Sequence, residues 1–199
     1  MVRHGVTDFT TAGKLDGRGG SDPSLSSEGR RQASAAAARV LDLIEDNAPR
    51  VITSGMKRAI ETGAAIAGLT GAGARVDADW DEQSFGDWEG KNLALLAGTH
   101  PEQVRSLRED PDYSRPGGES QVVLHSRVLA AFDRAVSAGG TVVVVSHRKP
   151  IVTVLSHVLG MPYERIWTMA ISPASLTSVE VWADRGPSVA FVNDTSHLR

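Results

Sequence analysis

Two histidines stand where a chain can do chemistry. Arg3-His4-Gly5 follows Val2 near the start, and Ser146-His147 closes a run of valines far downstream. An imidazole with one unprotonated nitrogen is a nucleophile. An arginine beside it offers a planar fork of donors suited to a phosphoryl group. Together such residues could hold a phosphate and also attack it. His100, His125, His157 and His197 lie in a loop, mid-helix or near the chain end. They read as ordinary surface or hydrogen-bonded side chains.

Other chemistries find little support. A zinc site needs three or four ligands at spacings such as His-x-x-x-His, and none occurs. Positive neighbours (Arg3, Arg148, Lys149) favour an anion over a cation. The Gly-x-Ser-x-Gly nucleophile elbow is missing, and Gly17-Arg18-Gly19-Gly20 is not followed by the Lys-Ser/Thr of a phosphate-binding loop. The chain has no cysteine, which removes disulfides, thiolate nucleophiles and cysteine metal sites.

The elements that must position these residues alternate between strand and helix. Residues 6–25 lack periodicity and form a loop. Ser26 or Ser27 caps a helix running to about residue 46, followed by a short strand over 50–54 and a helix over 56–69. A minor strand covers 75–77. Loop and short helix fill 80–118, broken by Pro101, Pro111 and Pro116. An amphipathic helix covers 119–138, and the β-branched run 141–145 predicts a strand buried on both faces. A helix over 149–159 and a terminal hairpin over 175–182 and 188–193 complete the chain. This pattern predicts an α/β fold, a three-layer sandwich with a mostly parallel sheet and helices on both faces. Ligands sit at the carboxyl ends of such strands. Three polar clusters fall there: Arg3-His4, Thr53-Ser54 followed by Arg58, and Ser146-His147.

At 199 residues, 41% hydrophobic and with formal net charge −3, the chain suits one soluble domain over 1–199. It lacks the basic excess of a nucleic-acid binder. No apolar run approaches the roughly 20 residues that span a bilayer, and the first residues carry no signal-peptide pattern. A cytoplasmic protein without membrane or nucleic-acid partners is expected, as a monomer or homodimer.

The chain carries five blocks in order. They are Arg3-His4-Gly5 with Thr7; Ser54, Lys57-Arg58-Ala59 and Glu61-Thr62; Glu82 with Phe85-Gly86-Asp87-Trp88-Glu89-Gly90; Pro116-Gly117-Gly118-Glu119-Ser120; and Val145-Ser146-His147 with Pro150-Ile151. In these blocks the sequence resembles the histidine phosphatase superfamily, in its phosphoglycerate-mutase-like branch. Gly17-Arg18-Gly19 and the ending Val192-Asn193-Asp194-Thr195 are most similar to bacterial small-molecule phosphatases of the α-ribazole phosphatase and acid phosphatase type.

The resemblance implies a phosphomonoesterase that needs no cofactor or metal and acts on a small phosphorylated substrate, releasing inorganic phosphate. It makes His4 the nucleophile and Glu82 the general acid and then base. Arg3, Arg58 and His147 become the clamp on the phosphoryl oxygens. Thr10, Gly17 and Arg148 join Arg3, Arg58 and His147 as phosphate- or substrate-binding residues, and 6–25 and 91–118 become lid segments. The alternatives are mutase-type phosphoryl transfer and a catalytically idle phosphate-binding module. Thr10 stands where the mutases carry asparagine, and the stretch 91–116 is shorter than theirs.

Three departures from the family pattern carry expectations. Arg148 and Lys149 follow His147 where glycine is usual, and would add positive potential at the rim, favouring multiply anionic substrates. Only Met1 and Val2 precede Arg3, so the central strand is expected to draw on residues upstream of Met1; without them the sheet would hold a slot. Lys14 and Asp16 stand where arginine and glutamine are common.

Overall fold

The computed structural model describes residues 1–44 and 48–199. Six strands form one sheet in the order β3-β2-β4-β1-β5-β6, with β1 at Val2–Arg3, β2 at Arg50–Thr53, β3 at Ala74–Val76, β4 at Val142–Ser146, β5 at Leu176–Trp182 and β6 at Gly186–Asp194. β1 to β4 are mutually parallel, and the β5–β6 hairpin adds antiparallel to β1. The sheet is therefore mixed, with the predicted parallel part at its centre.

Alternation along the strands builds two cores. Val51, Val143 and Val145 face one way, toward α2 (Ser27–Leu43) and α3 (Lys57–Thr70). Ile52 and Val144 face the other, toward α6 (Gln121–Ser137) and α7 (Arg148–Val158). Each such fully buried side chain contributes about 1.5–3 kcal/mol. The valine run is thus covered on both faces, as its lack of alternation predicts. Ser26 caps α2, its Oγ accepting from Gly29 N–H at 3.1 Å. The described helix ends at Leu43, and the rest of its expected run, through residue 46, lies largely outside the described residues.

The central strand is two residues long. Val2 pairs with Val145 on one side and Leu176 on the other, and the Met1 amino group donates to Thr177 O at 2.7 Å. Two clefts of about 530 and 200 Å³ lie beside Met1, the first bordered by Val40 and Ile44 and the second by Trp80 and Phe132. Met1, Val142, Val179 and Val181 border both.

The segments expected as lids contain helices: α1 (Asp8–Thr11), α4 (Leu93–Thr99) and α5 (Pro101–Glu109). A bridge between Lys14 and Asn92 ties the two segments together. Phe85, Trp88, Leu96, Val104 and Leu107 give this region its own apolar cluster. Among the described residues no helix is long and apolar enough to cross a membrane.

Candidate active site

The strand order brings the polar clusters together. β2, β4 and β1 are neighbours and run parallel, so their carboxyl ends emerge side by side. His4 N–H donates to Ser146 O at 3.0 Å, and Ser54 N–H donates to Val145 O at 2.9 Å, extending the ladders into the site. The rings of His4 and His147 then lie 5.0 Å apart between centroids, tilted by 55°. Behind His4, a Cβ on Gly5 would meet Gly29 O at 2.4 Å. Only glycine lets α2 approach the turn that carries the histidine.

His4 is held in one useful tautomer. Its Nδ1 lies 2.7 Å from Gly5 O, an acceptor only, so Nδ1 carries the hydrogen. Arg58 Nε–H donates to His4 Nε2 at 3.2 Å, which requires a lone pair there. Burial first, then Arg58 and Arg3, holds its pKa well below the ordinary 6.5. The ring is therefore neutral, with its one lone pair on Nε2 held by Arg58.

Arg58 is 2% exposed and Asp16 7%. Nη1 of Arg58 donates to Asp16 Oδ2 at 2.6 Å and Nη2 to Asp16 O at 2.8 Å. Burial raises the pKa of Asp16, with Glu89 adding to the rise and Arg58 opposing it. Arg3 donates from Nη1 to Ile171 O at 2.5 Å, while its buried Nε has no partner. Burial, the largest influence, lowers its pKa to about 10.

His147 is fully buried beside His4, and its Nε2 lies 2.7 Å from Ser54 Oγ. That hydroxyl already accepts from Met56 N–H at 3.1 Å, so its own hydrogen is available to Nε2. His147 Nδ1 is the ring nitrogen without a partner. Burial, then Arg58, His4 and Arg3, keeps this imidazole neutral too.

Glu82 faces the same cavity from the loop after the single helical turn Ala78–Trp80. Its Oε1 accepts from Gln83 N–H at 2.8 Å, and its Oε2 from Lys149 N–H at 3.4 Å. Arg127 on α6 fixes that loop, donating to Asp79 O, Asp81 O and Glu82 O while paired with Glu119. Gly86, at φ +53°, has Pro116 O and Gly118 N so close that a Cβ would meet them at 2.2 and 2.4 Å. The second glycine block is thereby pressed against the first.

His4, Arg3, Asp16, Arg58 and Glu82 border a cavity of about 420 Å³, whereas His147, fully buried beside His4, does not reach it. Thr10 and Arg148 border it as well, Arg148 donating to Met169 O at 3.0 Å. Gly17 does not: its N–H donates to Glu89 Oε2 at 2.8 Å, and a Cβ there would meet Gln83 O at 2.0 Å. Its lack of a side chain serves packing, not ligand contact. Lys149 is not a rim residue either, being 5% exposed with Nζ 4.0 Å from the Trp167 ring centroid. Arg115 and Trp167 line the cavity and were not singled out from sequence. Arg115 directly precedes Pro116-Gly117-Gly118, and that adjacency was its only signal. Among the described residues no three His, Cys, Asp or Glu side chains gather as metal ligands would.

A family sequence model, the histidine phosphatase superfamily (branch 1), matches residues 1–195. The chain is 34% identical over 200 residues to the bifunctional protein Rv2228c of Mycobacterium tuberculosis, covering 100% of this chain and 54% of that protein. It spans about half the length of the first curated relatives it matches. Among solved structures, mycobacterial glucosyl-3-phosphoglycerate phosphatase Rv2419c in complex with VO3 aligns with a TM-score of 0.85 at 28% identity, over 98% of each chain. Bacillus stearothermophilus YhfR aligns with a TM-score of 0.87 at 27% identity, over 100% of this chain and 97% of that one.

Proposed function

The chain belongs to the histidine phosphatase superfamily (branch 1), and on that premise we propose that it hydrolyses small phosphomonoesters through a phosphohistidine on His4. The observation that carries this reading is the pair of bonds on one imidazole. Nδ1–H is committed to Gly5 O, and Nε2 keeps a lone pair that accepts from Arg58 and must be released for attack, in a residue that borders one cavity with Glu82.

In the first step Nε2 bonds to phosphorus as the ester P–O bond breaks, and Glu82, protonated, passes its proton to the leaving oxygen. In the second, Glu82 takes a proton from water, the oxygen attacks phosphorus, the N–P bond breaks and inorganic phosphate leaves. Arg3, Arg58 and His147 stabilise charge on the non-bridging oxygens. The two guanidinium groups supply the positive charge that a metal would otherwise bring. A relative solved in complex with VO3 supports the reading, since a vanadium oxyanion has the charge and shape of a phosphoryl group in transfer.

The test is hydrolysis of p-nitrophenyl phosphate. His4→Ala should lower kcat by about a thousandfold or more. Acid-labile, base-stable phosphate should be trapped on the wild-type chain and not on the variant. Undiminished turnover by the variant would sink the mechanism, and an isomerised ester in place of free phosphate would make the enzyme a mutase.

A further inference from the structure

The ending Val192-Asn193-Asp194-Thr195 has no part in the chemistry above, yet it is bonded to the base of the site. The β5–β6 ladder pairs Ser178 with Phe191 and Leu176 with Asp194, so β6 takes three residue steps where β5 takes two. The extra residue makes a bulge, the device by which a strand re-aims a side chain. Asn193 lies in it at φ +56°, a left-handed conformation that asparagine adopts more readily than most residues. Its backbone N–H donates to Thr177 Oγ1 at 3.2 Å, and its side-chain Oδ1 accepts from Ser172 N–H at 2.6 Å.

Ser172 N and Ile171 O belong to one peptide group. That carbonyl accepts from Arg3 Nη1 at 2.5 Å, and the buried Nε of Arg3 has no partner. Among the described residues no carboxylate lies within 4.0 Å of Arg3. The direction of the Ile171 carbonyl therefore sets the guanidinium. A peptide group is planar, so holding its N–H aims its C=O, and hydrogen bonds in series polarise one another. His197 braces the same segment: its Nε2 donates to Ala174 O at 3.0 Å, while Ala174 N–H donates to His4 O at 3.1 Å. Asn193, Ser172 and Ile171 do not border the cavity that Arg3 borders.

We propose that Asn193 is a positioning residue for Arg3, acting through the Ile171–Ser172 peptide group. It touches no substrate. It aims the guanidinium that meets the phosphoryl oxygens. This rests on the phosphatase reading, in which Arg3 stabilises charge as the phosphoryl group is transferred.

The test is a double-mutant cycle on p-nitrophenyl phosphate hydrolysis. Asn193→Gly accepts the positive φ and removes the acceptor, whereas Asn193→Asp keeps both. Asn193→Gly should lower kcat/KM by about five- to tenfold, chiefly through kcat, the scale of one hydrogen bond. Asn193→Asp should retain most of the wild-type rate. In an Arg3→Ala background, Asn193→Gly should change the residual rate by less than about twofold. Equal losses in the two backgrounds, no loss in the presence of Arg3, or an Asn193→Asp enzyme as slow as Asn193→Gly would each overturn the proposal. Should Asn193→Gly fail to fold by circular dichroism, Asn193→Ser, whose shorter side chain falls short of Ser172, carries the same comparison. A wild-type enzyme that leaves p-nitrophenyl phosphate intact rejects the phosphatase reading itself, and the role of Asn193 with it.

Discussion

Asp16 Oδ2 lies 2.6 Å from Arg58 Nη1, and the Asp16 carbonyl oxygen holds Nη2 of the same guanidinium at 2.8 Å. Both terminal nitrogens of the proposed phosphate clamp are thus engaged by one residue. An oxyanion that takes these donors must displace the Asp16 carboxylate or meet it protonated.

Asp16→Asn should therefore tighten competitive inhibition by inorganic phosphate by about tenfold, the scale of one charged hydrogen bond. Burial raises the pKa of Asp16, so falling pH should neutralise it earlier than an ordinary aspartate and strengthen phosphate binding in the wild type. The variant should lose this pH dependence. Equal inhibition constants for the two proteins across the acid range would refute the competition.

The two buried imidazoles tie stability to pH. Both have folded pKa values well below 6.5, whereas the unfolded chain titrates near that value. Below it the unfolded state binds more protons, so stability is full above about pH 6.5 and is lost as pH falls toward the folded values, at roughly 1 kcal/mol per pH unit for each imidazole. Urea unfolding of His147→Asn should show a shallower decline between about pH 7 and 5 than the wild type. Parallel curves would contradict the assignment.

Arg127 binds three carbonyls of the Asp79–Glu82 loop as well as the Glu119 carboxylate. Arg127→Ala strands those groups and should cost about 3–5 kcal/mol in urea unfolding. Because the loop carries Glu82, kcat should fall in whatever folded enzyme remains. A variant that loses stability but keeps kcat would separate the loop's anchoring from the acid–base step.

Burial of Lys149 also ties stability to pH. Its pKa falls from 10.5 to about 7 in the folded state, so the stability of the neutral form is present above about pH 10.5 and lost as pH falls toward 7. Near pH 8 most of that penalty is in place. Lys149→Met should thus raise Tm by about 3 °C in the absence of ligand, the equivalent of about 1 kcal/mol for a chain of this size. A lowered Tm in differential scanning calorimetry would show that the Trp167 and Gln121 contacts outweigh the burial.

The sequence by itself determined the α/β class, helices α2, α3, α6 and α7 and strands β2 to β6 to within a few residues, and the family, while α1 lies in a stretch that reads as loop. Valines without alternation must be covered on both faces, and Ser26 is a legible cap because a hydroxyl before a helix has few other uses, whereas Ser120, read inside the helix over 119–138, turns out to cap it. The blocks carrying His4, Arg58, Glu82 and His147 could be named one by one. That they meet was implied by strand ends, but only the order β2-β4-β1 makes it so. The tertiary structure alone decided which residues oppose them. Gly17 turns to Glu89, Asp16 engages Arg58, and Lys149 and Arg115 are buried in the cavity wall. Local pattern sets the period of a helix or strand. Partners far along the chain, such as Asp16 with Arg58 or Lys149 with Trp167, are set by packing that no short window records.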